Sequence, residues 1–141
     1  MVHQTKVNFL IKQIGKYLKE LQSLGKIDLD VLDKNKEKRY TLAFLIQQIV
    51  NECISLGNHI ISEFDLGTPE TYKNIFEILE KKGFISKEVS TKMKEFVEIR
   101  NIIAHVYRAF SNRDLIRAYR NIDWIEKYVN SIIKKIEKGK L

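Results

Sequence analysis

The chain has 141 residues, 44% of them hydrophobic, which is enough for one domain spanning residues 1–141 with a sizeable core. Its formal net charge of +7 suits a polyanionic partner, and its lone cysteine, Cys53, excludes an internal disulfide and a zinc site built on thiolates. No run approaches the roughly 18 apolar residues that span a bilayer, and the opening Met-Val-His-Gln-Thr-Lys lacks a secretory leader's apolar stretch; a cytoplasmic protein without membrane contact is expected.

One proline, six glycines and abundant Lys, Glu, Leu and Ile favour helices, and five helical patterns follow in chain order. The first covers about residues 4–24, with Val7, Leu10, Ile11, Ile14, Leu18 and Leu21 on one face and Gly25 as its stop. The second starts near Asp33 and runs to about Phe64. It carries an apolar stripe of Leu42, Leu45, Ile49, Cys53, Leu56 and Ile60. Tyr40, Phe44, Val50, Ile54 and Ile61 extend that stripe around the cylinder. A helix apolar on several sides is buried on several sides, which means a central position, a subunit interface, or both. Gly57 near its end permits close approach of another backbone. The third follows Thr68-Pro69-Glu70, with Thr68 as cap and Pro69 in the first turn, buries Tyr72, Ile75, Phe76 and Leu79, and stops at Gly83. The fourth is capped by Ser86 and runs to about His105. The fifth opens at Ser111-Asn112-Arg113-Asp114, a capping box with Asp for Glu, and carries Leu115, Tyr119, Ile122, Ile125, Val129, Ile132 and Ile136. A basic tail of Lys134, Lys135, Lys138 and Lys140 follows its apolar face; such a tail is ordinarily solvated.

The chemistry concentrates in residues 100–107, Arg-Asn-Ile-Ile-Ala-His-Val-Tyr. Val89, Met93, Phe96, Arg100, Ile103 and Tyr107 alternate steps of four and three, so Arg100 interrupts an apolar seam. An unpaired guanidinium there costs several kcal/mol as an order of magnitude. Either it pairs with a carboxylate such as Glu52, Glu63 or Asp65, or it faces a groove that receives a phosphate. Arginine grips phosphate with two parallel hydrogen bonds, and histidine exchanges protons near neutral pH. On a straight helix His105 would be turned by about 140° from Arg100, so the helix must end or bend there, or a second copy must supply the missing group. Five of the six arginines, Arg100, Arg108, Arg113, Arg117 and Arg120, fall within residues 100–120, which points to a nucleic-acid partner with Arg108, Arg113, Arg117 and Arg120 as further candidate contacts. His59 and Glu63 lie four apart, and two residues make no metal site; a surface pair is expected.

Arg-x4-His, with Asn101 beside the arginine, resembles the signature of the HEPN superfamily. With Tyr107 completing Arg-x4-His-x-Tyr, the chain resembles the HepT toxins of HepT–MntA toxin–antitoxin pairs. Arg39, Ile46-Gln47 and Gly57-Asn58-His59-Ile60-Ile61 add to the resemblance, which covers nearly the whole chain. It implies an all-α antiparallel bundle that dimerises and brings two motifs to one cleft. It implies a metal-independent ribonuclease without a cofactor: Arg100 holding the scissile phosphate, His105 as general acid or base, and Asn101 in support. It implies a partner, a minimal MntA-like nucleotidyltransferase antitoxin that adenylylates Tyr107. Two departures stand out. Relatives often carry an acid where this chain has Ser55, and another a few residues beyond the tyrosine, where Ser111 stands. Glu52, one turn away, is a candidate substitute for the first. The competing reading is a non-catalytic HEPN-like binding module beside a nucleotidyltransferase; a plain dimeric scaffold would show no RNA affinity.

Overall fold

A computed structural model describes residues 4–105 and 110–139. The expectations for Tyr107 and Arg108 lie outside the described residues, as do His3 and Lys140. Seven helices are described: α1 (Gln4–Gln22), α2 (Leu29–Lys34), α3 (Lys36–Glu63), α4 (Tyr72–Lys81), α5 (Lys87–Ala104), α6 (Asn112–Arg120) and α7 (Asp123–Gly139). They form an all-α antiparallel bundle, with no strand among the described residues.

The 28-residue α3 is the axis of this bundle, and α1, α2, α4, α5 and α6 all pack against it. Leu42, Leu45, Ile49, Cys53, Leu56 and Ile60 are buried as the apolar stripe requires, and Val50, Ile54 and Ile61 widen it. Gly57 has the role its position suggests. A Cβ there would stand 2.6 Å from Ile75 Cγ2 and 2.9 Å from the Tyr128 hydroxyl. The absent side chain therefore lets α4 and α7 close on α3. Tyr128 is fully buried and donates its hydroxyl hydrogen to the Cys53 carbonyl at 2.9 Å.

Four local readings change. The second pattern is α3, and a short helix that the pattern did not include, α2, precedes it: Asp28 and Asn35 each accept a backbone N–H three residues on, which starts a helix at each. The third starts at Tyr72 and not at Thr68-Pro69. Gly67 adopts φ 127°, Thr71 Oγ1 accepts the Asn74 N–H, and the Asn74 side chain accepts the Glu70 N–H. The fifth breaks after Arg120, because Asn121 Nδ2 donates to the Arg117 carbonyl and ends the ladder. The apolar period runs on across that break, because α6 and α7 bury the same side. Finally, Tyr40, Phe44 and Tyr72, expected in apolar faces, are exposed at 53%, 57% and 44%.

The stops at Gly25 and Gly83, both at positive φ, and the caps at Ser86 and Ser111 stand as read. Among the described residues, no helix is long and apolar enough to cross a membrane.

Candidate active site

Helix α5 buries Val89, Met93, Phe96, Val97 and Ile99, and this packing fixes the helix on α3 and α4. Arg100 continues the seam but is only half-buried. Its Nε donates to Asn51 Oδ1 of α3 at 2.8 Å, and one terminal nitrogen, Nη1, donates to Asn101 Oδ1 at 3.1 Å. The guanidinium carbon lies 5.1 Å from the Tyr72 ring centroid. Every one of these partners is neutral. Among the described residues no carboxylate lies within ion-pair distance of Arg100, so pairing with Glu52, Glu63 or Asp65 does not occur. A guanidinium has five N–H donors. The asparagines use two of them and orient the group without neutralising it.

Arg100 and His105 line one cleft of a single chain. Helix α5 ends at Ala104, and His105 takes φ −86° and ψ 116° while its N–H still donates to the Asn101 carbonyl at 3.2 Å. The exposed His105 lines the same cleft as Arg100. Asn101 thus serves twice, its side chain on Arg100 and its carbonyl at the helix end. The cleft has a volume of about 880 Å³, and Ser55, Asn58, Tyr72, Arg100, Asn101 and His105 are in its wall. Ile54, Ile75 and Val97 contribute apolar surface, and Glu70 and Lys73 also line it. Lys73 is occupied by Glu98 at 2.7 Å, whereas Arg100 forms no ion pair with a described carboxylate.

The two departures from the resembled pattern take definite places. Ser55 lines the cleft, so the missing acid belongs to the site itself. Glu52 is not in the cleft wall and does not stand in for it. Ser111 is the N-cap of α6, reciprocally bonded with Asp114 in a capping box.

The arginine cluster of the sequence separates in space. Arg113, Arg117 and Arg120 lie exposed along α6 and line another groove of about 500 Å³, together with Asp28 and Asp30. They do not reach the Arg100 cleft. His59 and Glu63 approach to 3.9 Å with side chains 17% exposed each, a largely covered pair where a surface pair was expected. Among the described residues no three His, Cys, Asp or Glu side chains gather as metal ligands. Cys53 is fully buried, and burial pushes its thiol pKa up; burial also raises the Tyr128 phenol. Neither group is chemically available.

Sequence reasoning missed Asn51, Asn58 and Tyr72. One signal could have found the first two. Tyr40, Phe44, Gln47, Asn51, Ser55 and Asn58 lie within about 80° of arc on α3, and none of them is buried. Arg39 also has a structural task. Its Nε donates to Asn112 Oδ1 at 2.6 Å, an Nη2 donates to the Phe110 carbonyl at 2.8 Å, and the guanidinium sits 4.3 Å from the Phe110 ring centroid. Asn112 in turn donates to Asp33 at 2.6 Å. These bonds anchor the chain where it re-enters α6 after the motif.

A family profile described as "Ribonuclease HepT-like" matches residues 14–132. The chain is 31% identical over 71 residues to the mRNA nuclease HepT of Shewanella oneidensis, covering 50% of this chain and 53% of that protein. It is 27% identical over 97 residues to the tRNA nuclease HepT of Aphanizomenon flos-aquae, covering 69% of this chain and 66% of that one. The matches thus span less than two thirds of either curated relative. The tri-AMPylated HEPN toxin of Shewanella oneidensis, solved in complex with an MNT antitoxin, superposes with a TM-score of 0.83 at 21% identity, covering 92% of this chain and 97% of that one. That likeness is one of fold.

Proposed function

The chain belongs to the ribonuclease HepT-like family, and from that premise we propose that it is the toxin of a toxin–antitoxin pair, a metal-independent endoribonuclease acting in the cytoplasm as a homodimer. The observation that carries this reading is the pairing at one cleft of a neutrally held Arg100 with the imidazole of His105. Hydrogen bonds to neutral asparagines aim a full positive charge, and a phosphate can take the unused donors as a bidentate partner.

The chemistry follows from these two groups. The 2′-hydroxyl of RNA attacks the adjacent phosphorus, and His105 takes its proton as general base. The new phosphorus–oxygen bond closes a 2′,3′-cyclic phosphate as the bond to the 5′-oxygen breaks. The leaving oxygen receives a proton from His105 of a second copy, and a 5′-hydroxyl results. Arg100 stabilises the negative charge that builds on the non-bridging oxygens, and Asn101 keeps Arg100 in position. No metal enters this scheme.

The proposed partner is an MntA-like nucleotidyltransferase antitoxin that transfers adenylate from ATP to Tyr107, two residues beyond His105. A bulky anion on that residue would oppose RNA electrostatically. Support for this part comes from the Arg-x4-His-x-Tyr spacing and from the AMPylated state of the superposed Shewanella toxin.

Cleavage of RNA in EDTA by the wild type, His105→Ala and Arg100→Ala tests the proposal. Losing an acid–base group is expected to lower the rate by about 10²–10⁴-fold, and losing Arg100 by a comparable factor. Equal cleavage by all three proteins would assign the activity to a contaminant and the chain to a binding role.

A further inference from the structure

We infer that Tyr72 is a stacking platform for the nucleobase next to the phosphate held by Arg100, so that the cleft takes a single-stranded segment of RNA and not a lone phosphate. The inference rests on the reading of the cleft as an RNA site and extends it to a base subsite.

Tyr72 is the first residue of α4, placed there by the Thr71 cap. That position is outside the core: the side chain is 44% exposed, while Ile75, Phe76 and Leu79 on the same helix are buried. An aromatic ring left in water forgoes its burial energy. Here it forgoes that energy in the wall of the cleft, with the Arg100 guanidinium 5.1 Å from its centroid. With the guanidinium over the ring, the part of the ring still exposed can accept a base by stacking while the guanidinium edge meets the phosphate.

The surrounding wall has the polarity such a base needs. Ser55 and Asn58 on α3 and Thr71 at the N-cap of α4 offer neutral polar groups to base edges, and Ile54, Ile75 and Val97 supply apolar contact. Stacking is tolerant of sequence because every base has a π-face. The inferred subsite therefore adds affinity and register for unpaired RNA and discriminates against duplex, whose bases are already stacked.

Fluorescence anisotropy tests this without cleavage. The probes are short fluorescein-labelled oligoadenylate and oligouridylate with 2′-O-methyl groups throughout, which have no 2′-hydroxyl to attack. Two further probes carry abasic riboses in place of the bases. The proteins are the wild type, Tyr72→Ala, Tyr72→Leu and Tyr72→Phe, each checked by thermal melting. One stacked base corresponds to a loss of about 5- to 150-fold in affinity. That loss is expected for Tyr72→Ala and Tyr72→Leu on base-bearing probes, with Tyr72→Phe close to wild type. The abasic probes should bind the wild type and Tyr72→Ala alike.

Equal affinity of wild type and both ring-less variants for base-bearing probes overturns the inference. So does an equal loss on abasic probes, which would mean the ring acts only by positioning Arg100. Absence of wild-type binding overturns it as well. Wild-type binding with the expected Tyr72 pattern, but no cleavage of ordinary RNA, would leave the base subsite standing and remove the nuclease reading.

Discussion

Arg100 keeps its charge available because the residues that hold it are amides. Asn51 and Asn101 satisfy two of its donors and add no negative charge. Asn51→Asp tests this directly, since it changes only an amide to a carboxylate at 2.8 Å from Nε. The new ion pair would occupy the guanidinium, and RNA affinity is expected to fall roughly tenfold or more with no loss of thermal stability. Unchanged affinity in a filter-binding titration would show that the charge of Arg100 does not contact the polyanion. At this scale the sequence was legible in part. An arginine in an apolar seam is visible in a one-dimensional pattern, as is an imidazole turned away from it. Asn51 lies 49 positions earlier, and no local period connects the two. Tyr72 was misread for a related reason: its spacing fits the apolar face of α4, but the helix begins at Tyr72 itself, where the face is still open to the cleft.

Between elements, capping side chains and one glycine set how the helices meet the site. Gly57 lets α3 contact α4 and α7 at once, and α4 carries Tyr72 into the cleft wall. Gly57→Ala would place a methyl 2.6 Å from Ile75 Cγ2, 2.9 Å from Tyr128 Oη and 3.2 Å from Leu79 Cδ1. Overpacking of this kind costs about 1–3 kcal/mol, and a drop of several degrees in Tm is expected. An unchanged melting temperature would mean that the contact relaxes freely. Apolar periodicity revealed which faces pack, and the stops at Gly25 and Gly83 were legible because a positive φ favours glycine. The break between α6 and α7 was hidden, because Ile122 and Ile125 keep the period while the Asn121 side chain caps the Arg117 carbonyl. The choice of Thr71 over Thr68 as cap was equally hidden. Both are suitable residues, and the Asn74 side chain, bonded back to Glu70, decides between them.

At the scale of the whole molecule, α3 presents a long face that no core residue covers among the described residues. Tyr40 and Phe44 stand exposed near the start of α3, and the same stripe continues through Gln47 and Asn51 to Ser55 and Asn58 at the cleft. A second copy laid along this stripe would cover the aromatics and bring its own Arg100 and His105 to the first cleft. Phe44→Glu is therefore expected to yield a monomer in sedimentation velocity and to lower RNA cleavage at least tenfold, a factor within the range of a lost acid–base group. A dimer of undiminished activity would place the subunit contact elsewhere. The arginines of α6 are not part of this face. Their closeness in sequence reflects a shared helix, and their groove, shared with Asp28 and Asp30, opens apart from the cleft.

The central claim is that Arg100 and His105 drive attack by a ribose 2′-hydroxyl, and the substrate itself tests it most directly. An RNA oligonucleotide with a mapped cleavage position is compared with the same strand carrying one 2′-deoxy nucleotide on the 5′ side of that bond, both in EDTA, with product ends read by mass spectrometry. The account predicts a 2′,3′-cyclic phosphate and a 5′-hydroxyl from the first strand and no cut at that bond in the second. Cleavage of the deoxy-substituted bond, or products ending in a 5′-phosphate, would contradict it.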